Sequence, residues 1–476
     1  MPPTRDEAIT VSEKFADRVL SIEYGTLPPD VVESAKRILV DALACTMGGY
    51  DSPTGRTVRD YVRRFGGDGG ATIIGTDLRV TPSAAIVANE AMLRYLDYND
   101  DFDIFLGPSM VAGCHPSGSL PVAFAIGETE CVSGRKMIEA IVAGYEIMAE
   151  TITRFKDTTL QKNGFHHGTV HAFGGATMAA CLYGLDREQL VNAYGLTGSL
   201  NAGLDILDAD NEAYHMSKNF ADGVIANGGV IAAQLAACGG TGNERIFEGD
   251  RGWAHSLLGG RENFDFDRDW SDRFHILDTE FKSACAELTT RGHLHATCTL
   301  VEEHDIRPEE IEKITIRSNM RSVTHTASPR KRYPDNKETA DHSSPYLQAI
   351  AVLEGPITPK SYREENYQRE DVRQLIGRVD VVHGPEFDGE HTSAHVRIDL
   401  KDGRTFQRKV TREEVLEMHE ATQTDEGLRD KFVECAGSLL SGDQIDDVIE
   451  TCLSIDSADD VSSLFPKLKT ISESAF

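Results

Sequence analysis

The sequence predicts a mainly α-helical protein with an inserted α+β domain, and three observations predict it. Apolar residues recur at helical spacing up to about residue 270, the pattern turns to strand-like alternation after about 276, and helical spacing resumes beyond 412. Residues 1–276 together with 413–476 therefore form a helical domain, and 277–412 form the insertion. The 476 residues are 40% hydrophobic, which suffices for two or three domains with a large core and excludes general disorder.

Each element follows from local pattern. DVVESAKRILVDALACTM and SGRKMIEAIVAGYEIMAETITRF place apolar residues three and four apart with charges between them, as amphipathic helices do. AFGGATMAACLYGL from Ala172 and ADGVIANGGVIAAQLAACGG from Ala221 are helical but rich in glycine. Glycine costs up to about 1 kcal/mol per helix position relative to alanine, so close approach of two backbones is expected there. IEKITIRS (311–318) and GRVDVVHG (377–384) alternate, and SAHVRIDL, KDG and RTFQRKV read as a hairpin around a glycine-containing turn. REEVLEMHEA, DEGLRDKFVECAGSLL and DQIDDVIETCLSI return to helical spacing and are expected to pack back on the first domain.

With 48 Lys+Arg against 77 Asp+Glu, the net charge is −29. That balance offers no basic footprint for nucleic acid. It suits a salt-rich setting, where dense carboxylates stay hydrated and their repulsion is screened; an ordinary acidic enzyme is the plain alternative. The nine cysteines form no CxxC pair, so neither a disulfide scaffold nor a zinc or iron-sulfur site is expected, and no metal or other cofactor is assigned. No apolar run reaches the ~18 residues of a membrane span, and MPPTRDEAITVSEKFADRV lacks the apolar core of a secretory signal. A soluble cytoplasmic protein is expected.

Five polar clusters interrupt apolar or glycine-rich sequence. RYLDYNDDF carries Asp97 and Asp101 and is followed by His115 in CHPSGSLP. NGFHHGTVHAFGG holds His166, His167 and His171, which suit metal ligation or acid–base work. Lys218 precedes the second glycine-rich helix, where a cation opposes the helix dipole and needs an anion, either a substrate carboxylate or nearby Asp222. Lys282 and His295 stand at the entry to the insertion. DNKETADHSSPYLQAIAVLEG contributes Asp341, His342 and Tyr346, with helix capping as the plain reading of its acidic and hydroxyl residues.

Taken in order, LDYND, HPS, the GFH cluster, the lysine before a helix ending GGTG, EGDRGW, FK and KETADHSSPY resemble the MmgE/PrpD family over essentially the whole chain. The ETADHS-x-PY stretch looks most like its 2-methylcitrate dehydratase branch, with cis-aconitate decarboxylase as a sister activity. The resemblance implies a homodimer of two-domain subunits, each mainly α with an inserted α+β lid. It also implies a pocket lined by Asp97, His115, His166, Lys218, Lys282 and Tyr346; His167, Asp101 and His295 are expected beside these as further substrate contacts. The chain departs from the family in carrying Asp101 in place of the usual threonine, a longer connection from there to His115, and His167 in place of a proline.

Dehydration of 2-methylcitrate to 2-methylaconitate without an iron-sulfur cluster is the expected activity. Charge grows on a substrate carboxylate as the adjacent proton leaves, so fixed cations are needed, and Lys218 and Lys282 fill that role. His166 and His115 would accept and donate the protons, Tyr346 would serve as an alternative acid or hydroxyl anchor, and Asp97 would orient a histidine or hold a lysine charged. Decarboxylation of cis-aconitate, isomerisation of another dicarboxylate, and carboxylate binding without catalysis are the alternatives.

Overall fold

The computed structural model describes residues 9–107 and 110–470. Its first part is a packed set of helices: α1 (Val11–Leu20), α2 (Pro29–Gly48), α3 (Pro53–Phe65), α4 (Pro82–Arg94), α5 (Leu120–Thr129), α6 (Gly134–Thr153), α7 (His171–Tyr183), α8 (Arg187–Leu200) and α9 (Ser217–Ala237). Local chemistry sets their starts. Thr10 with Glu13 and Asp186 with Gln189 form capping boxes, and prolines occupy the first turns of α2, α3 and α4. Two ribbons interrupt the helices, β1 (Ala71–Thr72) with β2 (Arg79–Val80) and β3 (Phe102–Gly107) with β4 (Met110–Cys114), both antiparallel. The second ribbon forms the connection from Asp101 to His115; its tip, residues 108–109, lies outside the described residues.

The glycines of α7 and α9 are where close approach requires them. A Cβ on Gly175 would stand 2.3 Å from the Ala226 carbonyl oxygen, and one on Gly229 would stand 1.9 Å from that of Ala172. α9 also reaches a mean hydropathy of 1.3 over a membrane-length window, which the sequence reading of apolar runs did not register. Half of that window is buried inside the protein, and the helix carries the buried charges Lys218 and Asp222, so it is built as a core helix.

After a short helix, α10 (Trp253–Leu257), the chain enters the lid through α11 (Thr290–Glu303). The lid sheet holds β5 (Ile311–Ser318), β6 (Val379–His383), β7 (Ala394–Leu400) and β8 (Thr405–Val410) in the order β6-β5-β7-β8. β5 and β6 run parallel, the other pairs antiparallel, and Gly403, at φ 88°, turns the β7–β8 hairpin. Between β5 and β6 lie α12 (Met320–Thr324), α13 (Lys337–Ala340), α14 (Ser344–Glu354) and α15 (Glu370–Ile376), and α11 and α14 pack on the sheet.

The last helices are α16 (Arg412–Thr422), α17 (Asp425–Ala436) and α18 (Gly442–Leu453). α16 bridges α11 and α17, while α17 and α18 pack on α2, as the periodicity leads one to expect. Buried Lys431 fixes that return: its Nζ lies 2.5 Å from Asp41 on α2 and donates to the carbonyls of Tyr98 (2.7 Å) and Lys282 (3.1 Å). The segment carrying Asp97 and Asp101 and the segment carrying Lys282 are thereby tied to the same side chain.

Candidate active site

A cavity opens where the helical domain meets the lid, and Asp97, Asp101, His115, His167, Lys218 and Lys282 all line it. Asp97 follows α4 with φ 50°, a left-handed conformation that a non-glycine residue adopts only under constraint. The constraint is ionic: Arg94, in the last turn of α4, pairs with Asp97 and with Asp222 of α9, at 3.5 Å. Lys282 reaches Asp97 from the lid side, with Nζ 3.3 Å from Oδ1 and donating to the backbone carbonyl at 3.2 Å. Burial works to raise the Asp97 carboxyl, but Lys282 and Arg94 beside it hold it well below the usual carboxylate range.

Asp101 is held by three cationic or ionisable neighbours: Arg291 at 2.5 Å, His115 Nδ1 at 2.8 Å and Lys282 at 3.7 Å. His115 Nδ1 also lies 2.8 Å from the Asp100 carbonyl, so both partners of that nitrogen are acceptors and Nδ1 carries a proton. Its Nε2 is left for the cavity. Asp100 anchors the turn below, accepting from the Ser117 amide and hydroxyl and from the Tyr145 hydroxyl.

Lys218 lies in the first turn of α9 and pairs with Asp208, not with the Asp222 that its position suggests. Asp222 is engaged instead by His171 at 3.1 Å and by Arg94. Lys218 Nζ also donates to His342 Nε2 at 3.2 Å and stands 4.7 Å over the Tyr214 ring. The tyrosine is fixed from behind by Lys331, whose buried ammonium donates to its hydroxyl at 2.5 Å and is pushed down to about 7 by burial.

His166 and His167 part company. His166 is fully buried behind the wall, where its Nδ1 accepts from the Gly168 amide at 3.2 Å, and burial pushes it down to about 4. His167, its ring centroid 4.1 Å away and tilted by 38°, is the one that faces the cavity and approaches Asp208 at 3.9 Å. His166 caps the turn His167–Val170, and that local duty directs its ring inward.

Two expected site residues lie elsewhere. Tyr346 is buried on α14, its hydroxyl donating to the Ser361 carbonyl at 2.5 Å among Tyr362 and Tyr367. The helix turns it inward to these tyrosines, while His342, two residues before the helix start, lines the cavity. His295, on α11, lines a separate, mainly apolar recess with Leu294, Cys298, Ile357 and Met418.

Sequence reasoning did not place Asp208, Glu287, Arg321, His325 or His342 in the pocket, and all five line it. For His342 the signal was present in the DHS motif. Ser343 caps α14 and Asn336 caps α13, which leaves Asp341 and His342 free of that duty. Arg321 faces Glu287 at 3.8 Å, and His325 Nδ1 lies 3.0 Å from Asp210. Asp208, His325 and His342 bring ligand atoms within 4.8 Å of one another, as do Asp97, Asp341 and His342. In each group the carboxylates already hold ammonium groups, those of Lys218, Lys282 and Lys337, so protein cations fill the donor sets.

A helical domain and a lid that enclose carboxylate-paired lysines and carboxylate-oriented histidines define the class: a two-domain protein with an acid–base pocket at its internal boundary. The chain belongs to the MmgE/PrpD family; residues 13–265 match the MmgE/PrpD N-terminal domain and 285–455 the C-terminal domain. It is 26% identical to cis-aconitate decarboxylase of Mus musculus over 482 residues, covering 97% of this chain and 93% of that protein. It is 24% identical to the Homo sapiens protein of the same name, covering 97% and 95%. To 2-methylcitrate dehydratase of Escherichia coli (strain K12) it is 24% identical over 405 residues, covering 79% and 80%.

Proposed function

We propose that this protein is a lyase that removes water from a small hydroxy-polycarboxylate, with 2-methylcitrate as the leading substrate. The observation that carries the reading is a cavity holding two lysines and a carboxylate-oriented histidine, His115, whose Nε2 is free to move a proton. Elimination of water needs positive charge where the carboxylate gains electron density, and buried cations act there far more strongly than in water. Arg94, Lys218, Lys282 and Arg321 supply that charge, and Asp97, Asp208 and Glu287 hold them in place. Bound in the cavity, a leaving hydroxyl would take its proton from His115.

Decarboxylation of cis-aconitate is the second reading, favoured by the 26% identity of this chain to the Mus musculus decarboxylase over 97% of its length. Incubation of the purified protein with 2-methylcitrate, citrate and cis-aconitate separately, products identified by mass, decides between them. Loss of one water supports dehydration, and loss of one carbon dioxide from cis-aconitate replaces it with the second reading.

A further inference from the structure

His342 sits in the turn between α13 and α14, 3% exposed, with both ring nitrogens engaged. Nδ1 lies 2.6 Å from Asp341 Oδ1, and the other oxygen of Asp341 lies 2.7 Å from Lys337 Nζ. Nε2 lies 3.2 Å from Lys218 Nζ, with Asp208 at 3.8 Å and Asp97 at 3.9 Å. The rings of Tyr214 and His325 close its sides at 5.0 and 5.6 Å. An ammonium can only donate, and an ionised carboxylate can only accept, so these neighbours fix one tautomer: Nδ1–H toward Asp341 and a lone pair on Nε2 facing the cavity. Lys337, Asp341 and His342 thus form an ordered chain ending in a base.

We propose that His342 is the group that takes the substrate proton, with Asp341 as its positioning residue and His115 as the opposing proton donor. The assignment rests on the dehydration reading above. The neighbours separate the two histidines. Asp101 stands 2.8 Å from His115 Nδ1, closer than any carboxylate stands to His342 Nε2, whose nearest neighbour is the Lys218 ammonium at 3.2 Å; burial lowers both imidazoles, and at His115, where Arg94 and Lys282 add to it, Asp101 partly offsets it. Consistent with this, burial and Lys218 hold His342 well below the ordinary histidine value. In the step itself, Lys218 Nζ turns from His342 Nε2 to the substrate carboxylate, the freed Nε2 lone pair accepts the proton from the carbon next to that carboxylate, and the C–H electron pair becomes the new C=C bond. The neighbouring C–O bond breaks, and its oxygen takes the Nε2 proton of His115, which enters the step as the imidazolium, and departs as water. His342 then loses its extra proton to solvent and His115 regains one, which restores both.

The test compares wild type with His342→Gln, His342→Gly and Asp341→Asn, reading kcat on 2-methylcitrate and calorimetric binding of tricarballylate, an unreactive tricarboxylate. His342→Gln is expected to lose about 10²–10⁴-fold in kcat while binding within about threefold of wild type, and imidazole is expected to restore turnover to His342→Gly. Asp341→Asn is expected to lower kcat and displace the acidic limb of its pH profile, which a purely structural role would not move. His342→Gln that turns over within about threefold of wild type overturns the proposal. Should His342→Gln fail to fold, a folded His342→Gly that binds tricarballylate but gains nothing from imidazole overturns it equally. A wild-type protein that dehydrates none of the substrates overturns the dehydration reading, and this assignment falls with it.

Discussion

Lys282→Gln is the perturbation whose size follows most directly from the geometry. The ammonium lies 3.3 Å from Asp97 and 3.7 Å from Asp101, at 2% exposure. At an effective dielectric of 20, the Asp97 contact alone is an attraction of about 5 kcal/mol. Breaking a buried pair costs about 3–5 kcal/mol, and Arg94 and Arg291 remain on the two carboxylates, which places this variant near the lower end. Loss of one preorganised charge from the site lowers kcat by about 10²–10³-fold. The pH dependence carries its own sign. Asp97 and Asp101 are depressed in the folded protein, so they contribute stability above their unfolded values that disappears as pH falls through the folded ones. With Lys282 gone both rise, and acid unfolding begins at higher pH. Steady-state kinetics together with an acid titration followed by circular dichroism measure both effects. A variant within threefold of wild-type kcat/KM with an unmoved acid limb would refute the placement of Lys282 between these carboxylates.

Four other outcomes are expected. Tyr346→Phe removes only a hydrogen bond to the Ser361 carbonyl, so thermal unfolding should register a loss of about 1 kcal/mol with kcat unchanged; a large drop in kcat would return Tyr346 to the pocket. Gly229→Ala places a methyl 1.9 Å from the Ala172 carbonyl oxygen, and the melting temperature should fall by the equivalent of about 1–3 kcal/mol. Leu200, Leu204 and Ile206 are exposed, as are Val224, Ile231 and Leu235 of α9, and the loop after Leu200 meets that helix where Asn201 lies against Gly228; these apolar side chains are the proposed contact with a second copy of this chain. Light scattering should therefore give a dimer for wild type and a monomer for Leu204→Asp with Ile206→Asp, and a monomeric wild type would remove these side chains as the contact. At a net charge of −29 an anionic substrate is repelled at low ionic strength, so kcat/KM should climb as salt approaches about 0.15 M, where the screening length is about 8 Å; a steady fall from the lowest salt upward would count against salt adaptation.

Period and turn chemistry made most of the fold legible. IEKITIRS forms β5 over its whole length, and the glycine of KDG turns the β7–β8 hairpin. The glycines of α7 and α9 announced a close contact because nothing else tolerates a carbonyl at that distance. The site was legible where a charged residue interrupts an apolar run, as with Lys218, Lys282, Asp97 and His115. It was not legible where the partner is distant in sequence. Lys218 and His342 are 124 residues apart, and Asp208 stands in the acidic stretch LDILDADNEA beside Asp205 and Asp210 with nothing local to single it out. Adjacent histidines defeated sequence reasoning for another reason. Which of His166 and His167 faces the cavity depends on a backbone turn that His166 itself caps. Tyr346 shares a motif with His342, but the helix that begins between them turns their side chains toward different surroundings.

The central claim is dehydration at a two-histidine pocket, and a competition assay tests it most directly. Equal concentrations of 2-methylcitrate and cis-aconitate are offered to the same preparation and both products are followed by mass. The account predicts preferential loss of water from 2-methylcitrate; preferential release of carbon dioxide from cis-aconitate would contradict it.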